Sequence, residues 1–143
     1  MNHPYFSLHP PKSTGRETFG ETFVKNLWGR RRSISFADLL ATATYFTAAS
    51  IHRGFEDFVF PKFRVDEVFV SGGGVHNQTL MRFLKNLLQP LPVQSLNSLG
   101  IDGDAKEALA FALLADATIQ GRAANVPKAT GARRPAVLGK IVL

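Results

Sequence analysis

Cysteine is absent from the 143 residues. That excludes a disulfide framework and a thiolate-ligated zinc centre, and it fits a reducing compartment. Long apolar runs are missing as well. The longest, Ala108 to Ala115, is far shorter than the roughly 18 residues that a membrane span needs. Met1 to Tyr5 is polar and turn-forming, and no apolar stretch of the kind found in a secretory leader follows it. The expectation is a soluble, unexported chain of the cytoplasm, with no membrane partner. Neither an internal repeat nor a low-complexity tract is visible. Acidic residues are scarce, 11 against 17 Lys and Arg, which gives a formal charge of +6.

That positive excess is not arranged as a nucleic-acid interface. Arg30, Arg31 and Arg32 form the densest cluster, whereas Lys12, Arg16, Lys62, Arg64, Arg82, Lys85, Arg133 and Arg134 are dispersed. No aromatic-interleaved basic stripe accompanies them. Solvated loop charge accounts for most of the excess, and scattered cations also raise the encounter rate with an anionic small molecule. The four histidines, His3, His9, His52 and His76, have neither the i, i+4 spacing nor the carboxylate company of a metal centre. No metal held by side chains is therefore expected. Ser71 precedes the glycines that follow it, whereas a nucleophile elbow needs Gly-x-Ser-x-Gly.

What is present has the balance of one ordinary globular domain, 45% apolar and 20% charged. Residues 1–34 are rich in Pro, Gly and polar residues, so they read as a loop-rich connection with one short helix from about Glu17 to Trp28. Tyr5, Phe6, Phe19, Phe23 and Trp28 lie in that stretch. Exposed rings of this kind normally mark an interface, so a covering partner, or self-association, is expected there. From Ser35 onward Phe36, Leu39, Leu40, Ala43, Phe46 and Ile51 recur at helical spacing, with Ser35 as N-cap and Asp38 in the first turn. Gly54 offers a stop, Phe55 to Phe60 can prolong the last turn, and Pro61 breaks it.

Val65 to Ser71 reads as an interior strand of a mostly parallel sheet. Gly72, Gly73 and Gly74 follow, and Leu80, Phe83, Leu84, Leu87 and Leu88 then lay an apolar stripe along a helix with Arg82 and Lys85 facing outward. "LPVQS" reads as a second short strand and "LNSLGIDGD" as a loop. Asp104 would cap a nearly all-apolar helix from Ala105 to about Gln120, with Gly121 as its C-cap. A helix of that composition should be buried on most sides. The tail should be a loop holding a terminal strand-like run. The succession βαβα over residues 35–143 is an α/β core with packed helices, and its two firm strands and one weak one fall short of the five or six of a typical sheet.

Strand, glycines and helix in succession can aim backbone N–H groups at an anion. Glycine is required where φ is positive or where a ligand comes closer than a Cβ allows. A Walker A loop is excluded because His76-Asn77-Gln78 stands where Gly-Lys-Ser/Thr is needed. A dinucleotide loop is disfavoured because Asn77 takes the place of the third glycine and Gln94-Ser95 offers no acid. Two readings stay open from the pattern: a tight corner with Asn77 as N-cap, or a nucleotide site.

"VSGGGVHNQTLMRFL", "LGIDGDAKEALAFALLA", "NVPKATGARRPAVLGKI" and "PPKSTGRETF" resemble the C-terminal part of anhydro-N-acetylmuramic acid kinases, across nearly the whole chain. The resemblance implies part of an actin-like (ribonuclease H-like) second lobe with a mixed sheet, in the sugar kinase, heat-shock ATPase and actin superfamily. It implies ATP as cofactor, Mg2+ carried on the ATP phosphates, and Gly72, Gly73, Gly74 and Asn77 on the adenosine side of the cleft. The implied reaction opens the 1,6-anhydro ring of anhydro-N-acetylmuramic acid and phosphorylates O6, in peptidoglycan recycling. Family members are much longer, so the N-terminal lobe with its phosphate-gripping turn and catalytic aspartate would be absent, and the chain alone inactive. A missing lobe or a homodimer is the implied protein partner. The alternative is a non-catalytic remnant or interaction module that keeps the fold. Glu107 has two readings: a capping box with Asp104, or, by resemblance, a contact to sugar hydroxyls. Lys12, Ser13 and Thr14 read as a Pro-led turn, and Arg133 and Arg134 as solvated charge, although both stretches resemble family loops.

Overall fold

The computed structural model describes residues 3–29, 34–103 and 105–142. The Arg30–Arg32 cluster and the Asp104 cap lie outside the described residues. The architecture is α/β with helices predominating. In chain order come α1 (Arg16–Phe19), α2 (Glu21–Gly29), α3 (Phe36–Gly54), β1 (Val68–Val70), α4 (Gln78–Leu87), β2 (Val93–Ser95), α5 (Lys106–Ile119) and α6 (Pro127–Thr130).

The centre of the fold is α3 against α4 and the strand pair. α3 starts where expected: the Ser35 hydroxyl accepts the Asp38 N–H at 3.1 Å and donates to the Asp38 carboxylate at 2.7 Å. It continues past Gly54 into a π-helical turn, Phe55–Val59, closed by the Phe60 N–H on the Phe55 carbonyl at 2.9 Å. α4 buries its predicted stripe. Leu84 and Leu88 are 2% exposed and meet Ala48 of α3, which is 0% exposed, and Val93 of β2. The small Ala48 side chain lets the two helix backbones approach closely, and Leu80, Phe83 and Leu87 fill the margins.

β1 and β2 pair in parallel, with Val68 opposite Val93 and Val70 opposite Ser95, and α4 makes the crossover. β1 is shorter than the predicted Val65 to Ser71 because β2 offers three partner residues. Among the described residues the sheet is parallel rather than mixed. The terminal strand-like run joins no ladder among the described residues.

Two expectations for the first 34 residues are corrected. The single helix is two, α1 and α2, broken at Gly20, where a Cβ would sit 2.0 Å from the Arg16 carbonyl oxygen. The rings are covered largely by the chain itself. Phe6 is buried, and Phe6, Phe19 and Phe23 all pack on Phe46 of α3, with centroids 5.3–5.9 Å apart. Such edge and tilted contacts stabilise beyond area burial. Trp28 leans on Phe36 and is about half exposed.

The largest disagreement concerns α5. Its C-terminus follows the prediction: Gly121 takes φ 66, its N–H donates to the Thr118 carbonyl at 3.1 Å, and the Arg122 N–H donates to Ala117 at 2.8 Å. These two bonds make a Schellman stop. The expected burial is not found. Ala117 is buried and Leu114 and Thr118 are half-buried, but the rest of the helix is exposed. The reason is an absence of neighbours: α3 and α4 are occupied with each other, and the terminal segment crosses one side of α5.

Candidate functional site

Gly72 follows β1 by two residues and has φ 80 and ψ 179, a conformation essentially confined to glycine. The chain then makes a 3-10 turn, Gly73–His76, with the Val75 N–H on the Gly72 carbonyl at 3.0 Å and the Asn77 N–H on the Gly74 carbonyl at 3.1 Å. Asn77 leaves the turn with extended backbone, and its Oδ1 accepts the Leu80 N–H at 3.0 Å. Asn77 is therefore the N-cap of α4, as the simpler reading of the sequence holds.

The three glycines are not equivalent. Gly72 is required by its φ alone. Gly73 and Gly74 have no positive φ. A Cβ on Gly73 would meet nothing within 4 Å, and one on Gly74 would meet Leu80 Cδ2 at an ordinary 3.5 Å. The chain's own packing thus gives no reason for glycine at 73 or 74, and the corner faces open space.

Under the corner lies a residue that the sequence reading did not single out. Gly103 is buried, and a Cβ there would stand 3.0 Å from Asn97 Oδ1, 3.6 Å from the Gly72 nitrogen and 3.7 Å from Ser71 Cα. The Gly103 N–H donates to Asn97 Oδ1 at 3.0 Å. Asn97 sits on a 3-10 turn, Leu96–Leu99, directly after β2. The carboxyl ends of both parallel strands therefore converge on one spot, which is where open α/β sheets place their ligands. The second glycine of "GIDGD" was the signal available in the sequence.

Glu107 is exposed in the first turn of α5, four residues beyond Gly103. The predicted box with Asp104 falls outside the described residues. The N-cap position belongs to Ala105, without a side-chain cap bond, and the Ala105 N–H donates to Asp102 Oδ1 at 3.4 Å. On the other flank a groove of about 440 Å³ runs along α4 from Val75 to Ser95, with Arg82 and Lys85 on its walls. These two cations offer an anion a favourable potential beside the corner.

The other motifs assemble elsewhere. Lys12 Nζ donates to the Tyr5 carbonyl at 3.3 Å and stands 4.7 Å and 4.6 Å from the Tyr5 and Phe58 ring centroids. It ties the first segment to the end of α3. Pro11 to Ser13 lie beside Ala129 and Thr130 around a cavity of about 280 Å³. Gly131, at φ 76, would bring a Cβ within 3.3 Å of Pro11 Cγ. Arg133 and Arg134 are exposed. Among the described residues no group of three or more His, Asp or Glu could hold a metal ion, and no helix is long and apolar enough to cross a membrane.

Comparison with known proteins places the chain in a family. The family model for anhydro-N-acetylmuramic acid kinase matches residues 1–143. A protein of that name from Caldanaerobacter subterraneus subsp. tengcongensis is 47% identical over 141 residues, 97% of this chain and 36% of the relative. Relatives of the same name from Clostridioides difficile (43% identical, 99% of this chain, 37% of the relative) and Bacillus cereus strain G9842 (46%, 99% and 37%) agree. The chain thus spans little more than a third of the curated relatives it matches, at their C-terminal part. With a family model covering its full length, the chain belongs to the anhydro-N-acetylmuramic acid kinase family.

Proposed function

We propose that this chain supplies one wall of the ATP cleft of an enzyme that opens the 1,6-anhydro ring of anhydro-N-acetylmuramic acid and phosphorylates O6, in cell-wall recycling. In that reading residues 1–143 are part of an actin-like second lobe, 1–34 connecting and 35–143 forming its core. The observation that carries it is the glycine corner. Gly73 and Gly74 are glycines that the fold does not need, at the carboxyl ends of two parallel strands, and a Cβ on Gly73 would face open space. Close approach of a ligand is the remaining physical reason for glycine there.

The residues present suit a nucleotide. Bound ATP would supply the γ-phosphoryl group, with Mg2+ riding on its phosphates rather than on side chains of this chain. Gly72 to Gly74 would admit the adenosine side without a Cβ in the way, and Asn77 would hold the corner rigid through its cap on α4. Gly103 would fix the corner from below. Glu107, exposed at the mouth of α5, is the candidate for the sugar side. Phosphoryl transfer depends on positioning and charge stabilisation from both sides of the phosphates, so one wall performs no turnover.

The test joins this chain to the segment that precedes the matched region in the Caldanaerobacter relative, in one polypeptide. ATP-dependent phosphorylation of anhydro-N-acetylmuramic acid is expected from the fusion and not from the 143 residues alone. Gly73→Ala in the fusion should weaken ATP binding at least tenfold without lowering the melting temperature. An active fusion whose ATP affinity ignores Gly73→Ala would remove the corner from the nucleotide site; an inactive but folded fusion would favour the remnant reading.

A further inference from the structure

We propose that Asn97 is a positioning residue: its side chain fastens the loop after β2 beneath the glycine corner, and so sets where the first turn of α5, which carries Glu107, stands relative to a nucleotide on that corner. The inference deepens the nucleotide reading of the corner and rests on it.

The loop begins at Gly100, whose φ of 75 ends the 3-10 turn and whose N–H donates to the Asn97 carbonyl at 3.0 Å. Gly100, Ile101 and Asp102 are exposed, and the chain then passes to Gly103, which is buried. Gly103 has no positive φ, so backbone conformation gives no reason for glycine there. Crowding does. A Cβ at that position would stand 3.0 Å from Asn97 Oδ1, closer than ordinary van der Waals contact, and 3.6 Å from the Gly72 nitrogen. Asn97 thus contributes its backbone to the start of the loop and its side chain to the buried point, where Oδ1 accepts the Gly103 N–H at 3.0 Å. The bond from the Ala105 N–H to Asp102 Oδ1, at 3.4 Å, stays within the loop.

Asn97 is itself held by the sheet. Its N–H donates to Ser95 Oγ at 3.3 Å, and Ser95 is the β2 residue opposite Val70 of β1. One line of contacts therefore runs from the strand pair through Ser95 and Asn97 to Gly103, beside the glycine that opens the corner. Asn97 is exposed overall, so its side chain is not needed to fill the core, and the oxygen aimed at a buried N–H is its distinguishing contact. A buried N–H without an acceptor is costly, and a loop deprived of Oδ1 would relieve that cost by lifting Gly103 toward water. Lifting it removes the support next to Gly72 and shifts the start of α5 as well, since the helix begins at Lys106. Phosphoryl transfer depends on the mutual placement of the reactants, and a small displacement is enough to slow it. Each substrate would keep its own contacts, so the loss falls on turnover rather than on binding.

Two measurements test this, and the first needs no turnover. In the 143-residue chain, amide hydrogen exchange resolved by NMR should show Asn97→Ala speeding exchange at least tenfold at Gly103 and at least threefold at Val75 and Asn77, whose N–H groups close the corner. The Leu88 amide, bonded to Leu84 at the end of α4, should be unchanged. Asn97→Asp keeps an acceptor oxygen and should hold all four amides near the parent rates. In the single-polypeptide fusion with the Caldanaerobacter segment, Asn97→Ala should lower kcat at least tenfold, while the KM for ATP and for anhydro-N-acetylmuramic acid each change less than threefold, and Asn97→Asp should restore kcat. A role in stability alone would lower the melting temperature and leave kcat per folded molecule intact. Corner amides indifferent to Asn97→Ala, an acceleration shared equally by Leu88, or an unchanged kcat in the active fusion would each overturn the proposal. Gly73→Ala separates this inference from the reading beneath it. If that variant leaves ATP affinity unchanged, the nucleotide reading fails whatever Asn97 does; if it weakens ATP binding while Asn97→Ala leaves kcat unchanged, the positioning role alone fails.

Discussion

α4 and α5 are both rich in Leu, yet they meet opposite fates. α4 confines its apolar residues to one stripe, and α3 covers that stripe so fully that Leu84 and Leu88 are nearly sealed. α5 spreads its apolar residues around the axis and is bare over most of its length. The periodic helix describes a neighbour inside this chain. The aperiodic one has no comparable neighbour among the described residues. Composition alone thus sets what a helix would bury, while the spacing of its apolar residues tells whether one neighbour can bury it.

The strongest way to break that comparison is chemical. If the 143 residues alone phosphorylated anhydro-N-acetylmuramic acid at a rate comparable to the fusion, α5 would need no partner and the contrast would lose its meaning. The expected outcome is product from the fusion and none above background from the chain, followed by radiolabel transfer from γ-labelled ATP.

A stability series sharpens the same contrast. In the isolated chain Leu84→Ala should cost about 2–5 kcal/mol, through lost burial and the cavity left against Ala48 and Val93. Leu113→Ala should change stability by no more than about 0.5 kcal/mol, because the side chain is already in water and alanine is a good helix former. In the fusion the Leu113→Ala cost should rise into the range of a buried leucine, about 2–5 kcal/mol. Urea titration followed by circular dichroism reads all three. An unchanged Leu113→Ala value in the fusion would mean that this side of α5 stays bare.

The glycine corner allows a smaller comparison. Gly72→Ala should destabilise by about 1–3 kcal/mol, since alanine at that φ and ψ is strained whatever the space around it. Gly73→Ala should be neutral, or stabilising by up to about 1 kcal/mol through reduced freedom of the unfolded chain. Melting temperatures of the two variants should separate clearly.

Most of the element order was legible because each element announces itself locally. The Ser35–Asp38 cap, the α4 stripe, the Asn77 cap and the Gly121 stop are all short-range features, and all four stand where the sequence puts them. What escaped depends on distance along the chain. At Gly20 the backbone passes so close to the Arg16 carbonyl that a Cβ would sit 2.0 Å from its oxygen, a proximity that no propensity conveys. Phe6, Phe19 and Phe23 look unpartnered in a loop-rich stretch because Phe46, their cover, comes much later. Gly103 matters to the corner because a Cβ there would stand 3.6 Å from the Gly72 nitrogen, 31 residues away in the chain, and spacing alone cannot disclose it. The burial of α5 was misjudged for the same reason in reverse: composition gives what a helix requires, not whether the chain at hand supplies it.

The least effect is expected at the helix starts, and it returns to the same two classes of helix. α3 and α4 begin with side-chain caps, Ser35 on the Asp38 N–H and Asn77 on the Leu80 N–H. Ser35→Ala and Asn77→Ala should each cost about 1 kcal/mol by freeing an N–H that the first turn cannot satisfy. α5 begins at Ala105 without such a bond, and with φ −80 and ψ −8 rather than the extended backbone from which a cap oxygen reaches back. Ala105→Ser should therefore gain less than about 0.5 kcal/mol in the isolated chain. A gain near the full value of a cap would show that the start of α5 rearranges freely when nothing is docked against it.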